Sequence, residues 1–172
     1  MTLDSLNTFD RAAFTAALGH LFEHSPWVAE ETWSKRPFAS VDALHAALCG
    51  TMRAASRERQ LALIRAHPDL AGRLAQQKKL TAESTREQAS AGLDQLTDAE
   101  LAEFTRQNDT YKTKFGFPFI ICARLNAKAA IVDAMRTRVH HAPDTEFATA
   151  LGEIEKIARL RLNDTLGTTK PH

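Results

Sequence analysis

The chain has few of the sequence features that would identify its structural or functional class directly. It holds only two cysteines in 172 residues and a net charge of +1. It also lacks any apolar run near the roughly 18 residues that a membrane span requires. Two distant cysteines do not make a disulfide framework or a zinc knuckle. The scattered basic residues form no block for nucleic acid, and the N-terminus does not resemble a secretory signal. We therefore expect a cytoplasmic protein with buried thiols and neither a membrane nor a nucleic-acid partner.

Alternating patterns of strand length are also scarce, whereas apolar residues recur at helical spacing throughout. With 44% hydrophobic residues, the chain is long enough to bury one core. We predict an all-α fold, a single-domain compact bundle of about eight or nine helices over residues 1–172. The predicted helices are Phe9 to His24, Pro26 to Ser34, Val41 to Ala54, Arg57 to Ala66, a short one after Pro68, Thr85 to Gly92, Asp98 to Lys114, Ala127 to His140 and Asp144 to Leu166. The polar stretch from Gln76 to Arg86 is predicted to be a flexible loop or lid.

A histidine stands at a break between two predicted helices. In the motif His67–Gly72 (His-Pro-Asp-Leu-Ala-Gly), Pro68 disfavours a helical conformation for His67 and is suited to open the next helix. A histidine held at such a junction can face a cavity, and the ordinary pKa of this side chain suits it to proton transfer. The alternative is that His67 ends its helix and interacts with the helix dipole.

Polar side chains mark one face of the next predicted helix. Glu87 and Gln88 lie three and four residues after Ser84, which places both on the helical face of Ser84. A carboxylate beside a hydroxyl and a carboxamide could orient an imidazole and bind the amide groups of a small substrate. The alternative, which the spacing alone favours, is a capping box in which Glu87 folds back on the backbone of Ser84.

The most apolar run, Phe117–Ala123, has no obvious strand to pair with. If the run is buried and irregular, its backbone amides need partners, and a polar ligand is one of them. Helix termini or water could serve instead, or the run could begin the next helix.

An arginine falls on a buried stripe of the last predicted helix. Arg161 lies near the centre of the stripe that includes Phe147, Ile154 and Ile157. Its planar guanidinium can bind a carboxylate with two hydrogen bonds, so Arg161 is a candidate anchor for an anionic substrate. Alternatively, it pairs with an internal acid or extends outward to solvent.

One short motif points to a metal. His20-Leu-Phe-Glu23-His24 matches the H-x-x-E-H pattern, in which two histidines one helical turn apart bind zinc and the glutamate acts as a base. The following Ser25-Pro26 ends the helix at once and no third ligand is marked. A zinc hydrolase is therefore a minor alternative.

Several separated motifs together resemble one enzyme family. These are Phe22–Ala29, His67–Gly72, the run Ser84-x-x-Glu87-Gln88 followed by Ala91–Leu93, and Phe115–Cys122. In this order they resemble the 2-oxo-4-hydroxy-4-carboxy-5-ureidoimidazoline (OHCU) decarboxylases of urate breakdown. The likeness covers nearly the whole chain, and motifs in the right order are more specific than any one of them.

The resemblance implies an all-α homodimer that decarboxylates a small molecule, OHCU, to (S)-allantoin and carbon dioxide with no cofactor and no metal. It implies that His67 is the catalytic residue. By the same likeness the substrate site is lined by Pro68, by Ser84, Thr85, Arg86, Glu87 and Gln88, by Phe119, Ile120, Ile121, Cys122 and Ala123, and by Arg161.

The chemistry of this substrate fits these residue types. The carbon that loses carbon dioxide bears a hydroxyl and adjoins an imine-like carbon, so the substrate accepts its own released electrons. We expect Glu87 to orient His67 as it moves a proton, and Arg161 and amides of Phe119–Ala123 to bind polar and anionic groups. Ser84 and Gln88 would bind the ureido and ring amides. The remaining alternative is a helical binding module without catalysis.

Overall fold

Every regular element in the described part of the chain is helical. The computed structural model describes residues 1–72 and 80–168. The α-helices in these ranges are α1 (Leu3–Thr8), α2 (Arg11–Leu18), α3 (Trp27–Thr32), α4 (Val41–Ala54), α5 (Arg57–Ala66), α6 (Ala82–Ser90), α7 (Asp98–Phe115), α8 (Lys128–Arg138) and α9 (Pro143–Leu166). Short 3-10 helices cover Gly19–Leu21, Trp33–Lys35 and Ala123–Leu125. The all-α prediction is confirmed. None of the helices described has both the length and the apolar character to cross a bilayer.

The predicted bounds hold best where a capping side chain agrees with the hydrophobic period. Helices α4 and α5 begin and end at the predicted residues, and Ser40 caps α4 through the amide of Ala43 at 3.0 Å. The helix predicted from Phe9 to His24 is too long at both ends, because α2 covers only Arg11–Leu18 and a 3-10 helix follows over Gly19–Leu21. The Asp10 carboxylate caps α2 by accepting from the amide of Ala13 at 2.8 Å. Helix α1, capped by Thr2, lies before every predicted helix.

The region after Pro68 differs from the prediction. Residues 67–72 form a bend and a turn rather than the start of a helix, and the rest of the predicted short helix lies outside the described residues. Residues 76–79 of the predicted loop from Gln76 to Arg86 lie outside the described residues. The loop prediction is wrong for residues 82–86, which are helical because Thr81 caps α6.

The chain divides into two compact units. One runs from Met1 to Ala66 and resumes at Glu155, and the other runs from His67 to Ile154. Helix α9 therefore has residues in both. The predicted single-domain organisation stays a prediction.

In the first unit, α2 packs on α3 and α3 packs on α4. Its core includes the fully buried side chains of Phe14, Leu18, Val28, Leu48 and Met52. Buried polar groups are satisfied locally: the Thr32 hydroxyl donates to the carbonyl of Val28 at 2.7 Å and contacts the Thr51 hydroxyl at 2.8 Å.

An aromatic cluster forms much of the core of the second unit. The ring of Tyr111 lies 4.6 Å from that of Phe115 and 5.2 Å from that of Phe119, and Phe117 contacts Phe147 at 6.2 Å between centroids. The Tyr111–Phe119 and Phe117–Phe147 contacts are edge-to-face, a geometry that adds to the stabilisation from apolar burial. The cluster joins α7 to the chain that leaves it, which fixes the direction of that segment.

Two glycines should respond to alanine with opposite signs. Gly116 ends α7 in the left-handed region, with φ of 74°. Gly116→Ala should therefore destabilise the protein by about 1–2 kcal/mol. Gly50 lies exposed within α4 and no heavy atom lies within 4 Å of the position of an added Cβ. Gly50→Ala should stabilise by about 0.5–1 kcal/mol. Urea unfolding of both variants checks this, and equal signs would contradict the assigned cap.

Candidate active site

His67 lies in a tightly constrained loop, residues 67–72, directly after α5. His67 is buried, with 7% of the residue exposed. Its Nε2 atom is buried and has no hydrogen bond to any of the described residues, although His67 takes part in other interactions. Ala71 has a φ of 50°, a left-handed conformation that costs a residue with a Cβ about 1–3 kcal/mol. At Gly72 an added Cβ would come within 2.6 Å of the Asp69 Cβ, so the turn excludes a side chain there.

Side chains from two helices hold this loop. The Gln88 Oε1 accepts from the Ala71 amide at 2.9 Å, and its Nε2 lies 3.5 Å from the Asp69 carbonyl. From α7, Asn108 Nδ2 donates to the Leu70 carbonyl at 2.9 Å, and Lys112 Nζ pairs with Asp69 Oδ2 at 2.7 Å. The loop conformation is therefore imposed by its neighbours in the second unit.

Helix α6 turns one polar face inward. Ser84 and Gln88 are buried, and Glu87 between them is half-buried. The capping-box interpretation is wrong, because Thr81 is the capping residue and Ser84 lies inside the first turn, with its amide 3.2 Å from the Thr81 hydroxyl.

Two of the residues expected at the substrate site lie on the outer face of α6. Thr85 is exposed and its hydroxyl donates to the Thr81 carbonyl at 2.9 Å. The Arg86 side chain is 73% exposed and lies 3.6 Å from Glu83. The geometry does not bring Thr85 and Arg86 together with Ser84 and Gln88, and their assignment stays a prediction.

Residues 117–122 are buried and irregular, as one sequence interpretation expected. Ionisable side chains satisfy part of the backbone. The Cys122 amide donates to Glu153 Oε2 at 2.8 Å, and Arg138 Nη1 donates to the Ile120 carbonyl at 2.8 Å. Neither ligand nor helix terminus is needed for these two groups.

Arg138 belongs to a buried charged network. Its Nε donates to Glu146 Oε1 at 2.8 Å, and its guanidinium lies 4.3 Å from the Phe119 ring centroid. The Tyr111 hydroxyl donates to the same carboxylate, and His141 Nδ1 lies 2.8 Å from its other oxygen. Burial, and then the bond to Glu146, raise the pKa of Tyr111. Through the contacts of Arg138 with Phe119 and Ile120, the network holds the irregular segment in place.

Helix α6 and the irregular segment meet within the second unit. The helix packs against the 3-10 turn Ala123–Leu125. Burial raises the pKa of the Cys122 thiol to about 11, and the negative charges of Glu153 and Glu87 add to the shift. Both carboxylates therefore lie near Cys122. The structure thus brings together the His67 loop, the inner face of α6 and residues 119–123.

Arg161 lies in the first unit, where it is 4% exposed. Its Nη2 pairs with Glu23 Oε2 at 3.0 Å, and its Nη1 donates to the His20 carbonyl at 3.2 Å. Of the alternatives raised by the sequence, the structure shows pairing with an internal acid. The assignment of Arg161 as a substrate anchor stays a prediction.

The arrangement needed for a zinc site at His20, Glu23 and His24 is absent. Helix α2 ends at Leu18, a 3-10 turn covers His20, and His24 lies exposed with a φ of 46°. The chain therefore does not form the continuous helix that would align the two histidines. Across residues 1–72 and 80–168, no group of three or more histidine, cysteine or acidic side chains is placed to hold a metal ion.

Sequence reasoning missed the buried partners of the site. Glu146 and Glu153 lie two helical turns apart on the inward face of α9, at 0% and 9% exposure. Asn108 shares the buried face of α7 with Phe104 and Tyr111. In each case a polar residue at a core position of an amphipathic helix was the available signal.

A family model described as OHCU decarboxylase matches residues 7–163. The chain belongs to the OHCU decarboxylase family. It is 45% identical over 176 residues to a 2-oxo-4-hydroxy-4-carboxy-5-ureidoimidazoline decarboxylase of Halalkalicoccus jeotgali, covering 100% of this chain and 98% of that protein. To the protein of the same name from Haloferax volcanii it is 48% identical over 162 residues, with 94% of each chain covered.

A solved structure described as (S)-allantoin synthase has the same fold. The TM-score is 0.76 at 31% sequence identity, and the match covers 96% of this chain and 54% of that chain. Membership of the OHCU decarboxylase family places the chain among the carboxy-lyases, so the resemblance drawn from its motifs is confirmed.

Proposed function

We propose that the chain decarboxylates OHCU to (S)-allantoin and carbon dioxide in urate breakdown, with His67 as the proton-transfer residue. The family match over residues 7–163 supports the reaction. The observation that supports this site most directly is the meeting, in one unit, of the His67 loop with α6 through Gln88, and of α6 with residues 119–123.

The substrate supplies the electron sink. The bond to the carboxyl carbon breaks, carbon dioxide leaves, and the electron pair forms a double bond to the adjacent imine-like carbon. The nitrogen of the former imine-like bond takes up a proton from solvent. The hydroxyl then loses its proton as it becomes a carbonyl, and the neighbouring carbon gains a proton. The protein needs to hold the substrate, move protons and choose one face.

His67 moves the proton between the hydroxyl and the neighbouring carbon. Its burial keeps the imidazole away from bulk water, and the constrained loop gives it one direction. Glu87, half-buried on the inner face of α6, orients this imidazole. Delivery of the proton to one face makes a single enantiomer.

Substrate binding uses the groups around the histidine. Pro68, Ser84 and Gln88 line the side nearest α6, and Phe119–Ala123 lines the other. Gln88 has a double role, because its carboxamide already holds Ala71 and Asp69 while each of its polar atoms can make a second hydrogen bond.

The assembly and location belong to the same proposal. We propose a homodimer, as the family resemblance implies. A cytoplasmic location agrees with the two free, buried cysteines, Cys49 and Cys122.

Circular dichroism of the product tests the proposal. Substrate is generated fresh from urate by an oxidase and a hydrolase, with this protein or with heat-denatured protein. The native protein should produce optically active allantoin faster than carbon dioxide is lost spontaneously, both before and after exhaustive chelation. Racemic product at the spontaneous rate in both samples would overturn the proposal.

A further inference from the structure

We propose that Lys112 and Asn108, one turn apart on α7, are positioning residues for His67. The proposal rests on the assignment of His67 as the proton-transfer residue. Neither side chain belongs to the set that the family resemblance assigns to substrate, and both contact the His67 loop directly.

The contacts fall on consecutive residues of the loop. Lys112 holds the Asp69 carboxylate at 2.7 Å, and Asn108 holds the Leu70 carbonyl at 2.9 Å. Gln88 then holds the Ala71 amide from the opposite helix, α6. Three successive residues after Pro68 are therefore fixed from two sides, and His67 is attached to this fixed segment by a single proline.

The loop needs such contacts because its conformation is unfavourable by itself. Ala71 has a positive φ without being glycine, and Gly72 packs its backbone against Asp69. Backbone conformations of this kind persist only where the surrounding structure determines them. Loss of one contact should let the loop relax and move the imidazole.

Asn108 occupies a core position at a cost in folding free energy. It is 3% exposed, and among the described residues its Oδ1 has no hydrogen-bond partner although it is buried. An apolar side chain would avoid this cost at the same place. The amide does make the hydrogen bond from Nδ2 to the Leu70 carbonyl. A residue that is locally unfavourable but holds a neighbouring segment in place is typical of a functional site.

A substitution of Lys112 can distinguish an effect on the position of His67 from an effect on the global stability of the protein. The Lys112 side chain is 42% exposed and that of Asp69 is 25% exposed, so the ion pair adds little to global stability. Lys112→Met should leave the unfolding midpoint near that of the parent. It should lower kcat about 10- to 100-fold with KM within about twofold, because the proton-transfer group moves while the substrate contacts remain.

Two matched variants complete the test. Lys128→Met removes an ion pair of similar exposure, to Glu100 at 2.5 Å, that does not touch the loop, and it should keep parental kcat. Lys112→Arg keeps the positive charge and should restore most of the activity. Asn108→Ala should lower kcat as Lys112→Met does, and the lysine variants keep the test valid if it does not fold.

A measurement without substrate distinguishes failure of this proposal from failure of the proposed function. Hydrogen exchange of the Ala71 amide should be about tenfold faster in Lys112→Met and unchanged in Lys128→Met. Parental exchange in Lys112→Met overturns the positioning role whether or not the parent is active. With an active parent, an unchanged kcat in Lys112→Met also overturns it. If the parent is inactive but the Ala71 amide exchanges faster in Lys112→Met, the proposed reaction is wrong and the positioning role of the loop contacts is supported.

Discussion

His67→Asn is expected to lose about 10²- to 10⁴-fold in the rate of optically active allantoin formation, the usual contribution of a positioned acid or base. Asparagine is close in size to the imidazole and can make hydrogen bonds, so the buried position stays filled. It cannot gain and lose a proton near neutral pH. The variant should therefore fold and bind substrate while the proton-transfer step fails.

The matched control is His140→Asn. His140 is exposed in the same unit and does not lie in the His67 loop, in α6 or in residues 119–123. It should keep the parental rate. Rates are followed by circular dichroism with freshly generated substrate, and folding by far-ultraviolet spectra. Near-parental turnover in His67→Asn would show that another group moves the proton.

Arg138→Met should be the most destabilising of these substitutions, by about 3–5 kcal/mol. Methionine replaces much of the side-chain volume but leaves the carboxylate of Glu146, which is 0% exposed, without the guanidinium charge. The Ile120 carbonyl loses its donor as well. Because this carbonyl belongs to the segment proposed to bind substrate, any folded fraction should also have a raised KM.

Arg136→Met on the same helix is the control. The Arg136 side chain is 56% exposed and pairs with Glu103 at 3.0 Å and Asp133 at 3.6 Å. Its loss should cost no more than about 1 kcal/mol. Urea unfolding with both variants measures the difference in the free energy of unfolding. Equal effects of the two substitutions would mean that the buried pair is not needed to hold the core of this unit.

The helices were predictable where local and long-range preferences agree. Val41–Ala54 and Arg57–Ala66 carry a clear apolar period and polar capping residues, so their bounds follow from sequence. The first helices were not, because α1 has only six residues and buried apolar residues continue past Leu18, where α2 ends. At α6 the Thr81 cap starts the helix at Ala82, before the predicted Thr85.

The site divides in a similar way. The histidine motif, the inner face of α6 and the apolar run are local patterns, so the order of residues is enough to find them. Their supports are not local, since Asn108 and Glu153 act on residues 38 and 31 positions away. No neighbouring residue indicates that a glutamate on the last helix meets the amide of Cys122. Such pairings follow only from tertiary packing.

The shared carboxylate of Glu146 has a consequence for how this protein can change. Tyr111 reaches it from α7, and Arg138 and His141 reach it from the end of α8 and the turn that follows. A substitution of any one of these three residues leaves the buried Glu146 carboxylate with fewer hydrogen-bond donors. Each single substitution is therefore destabilising. We expect the four positions to be inherited together, and to be replaced in descendants only as a set.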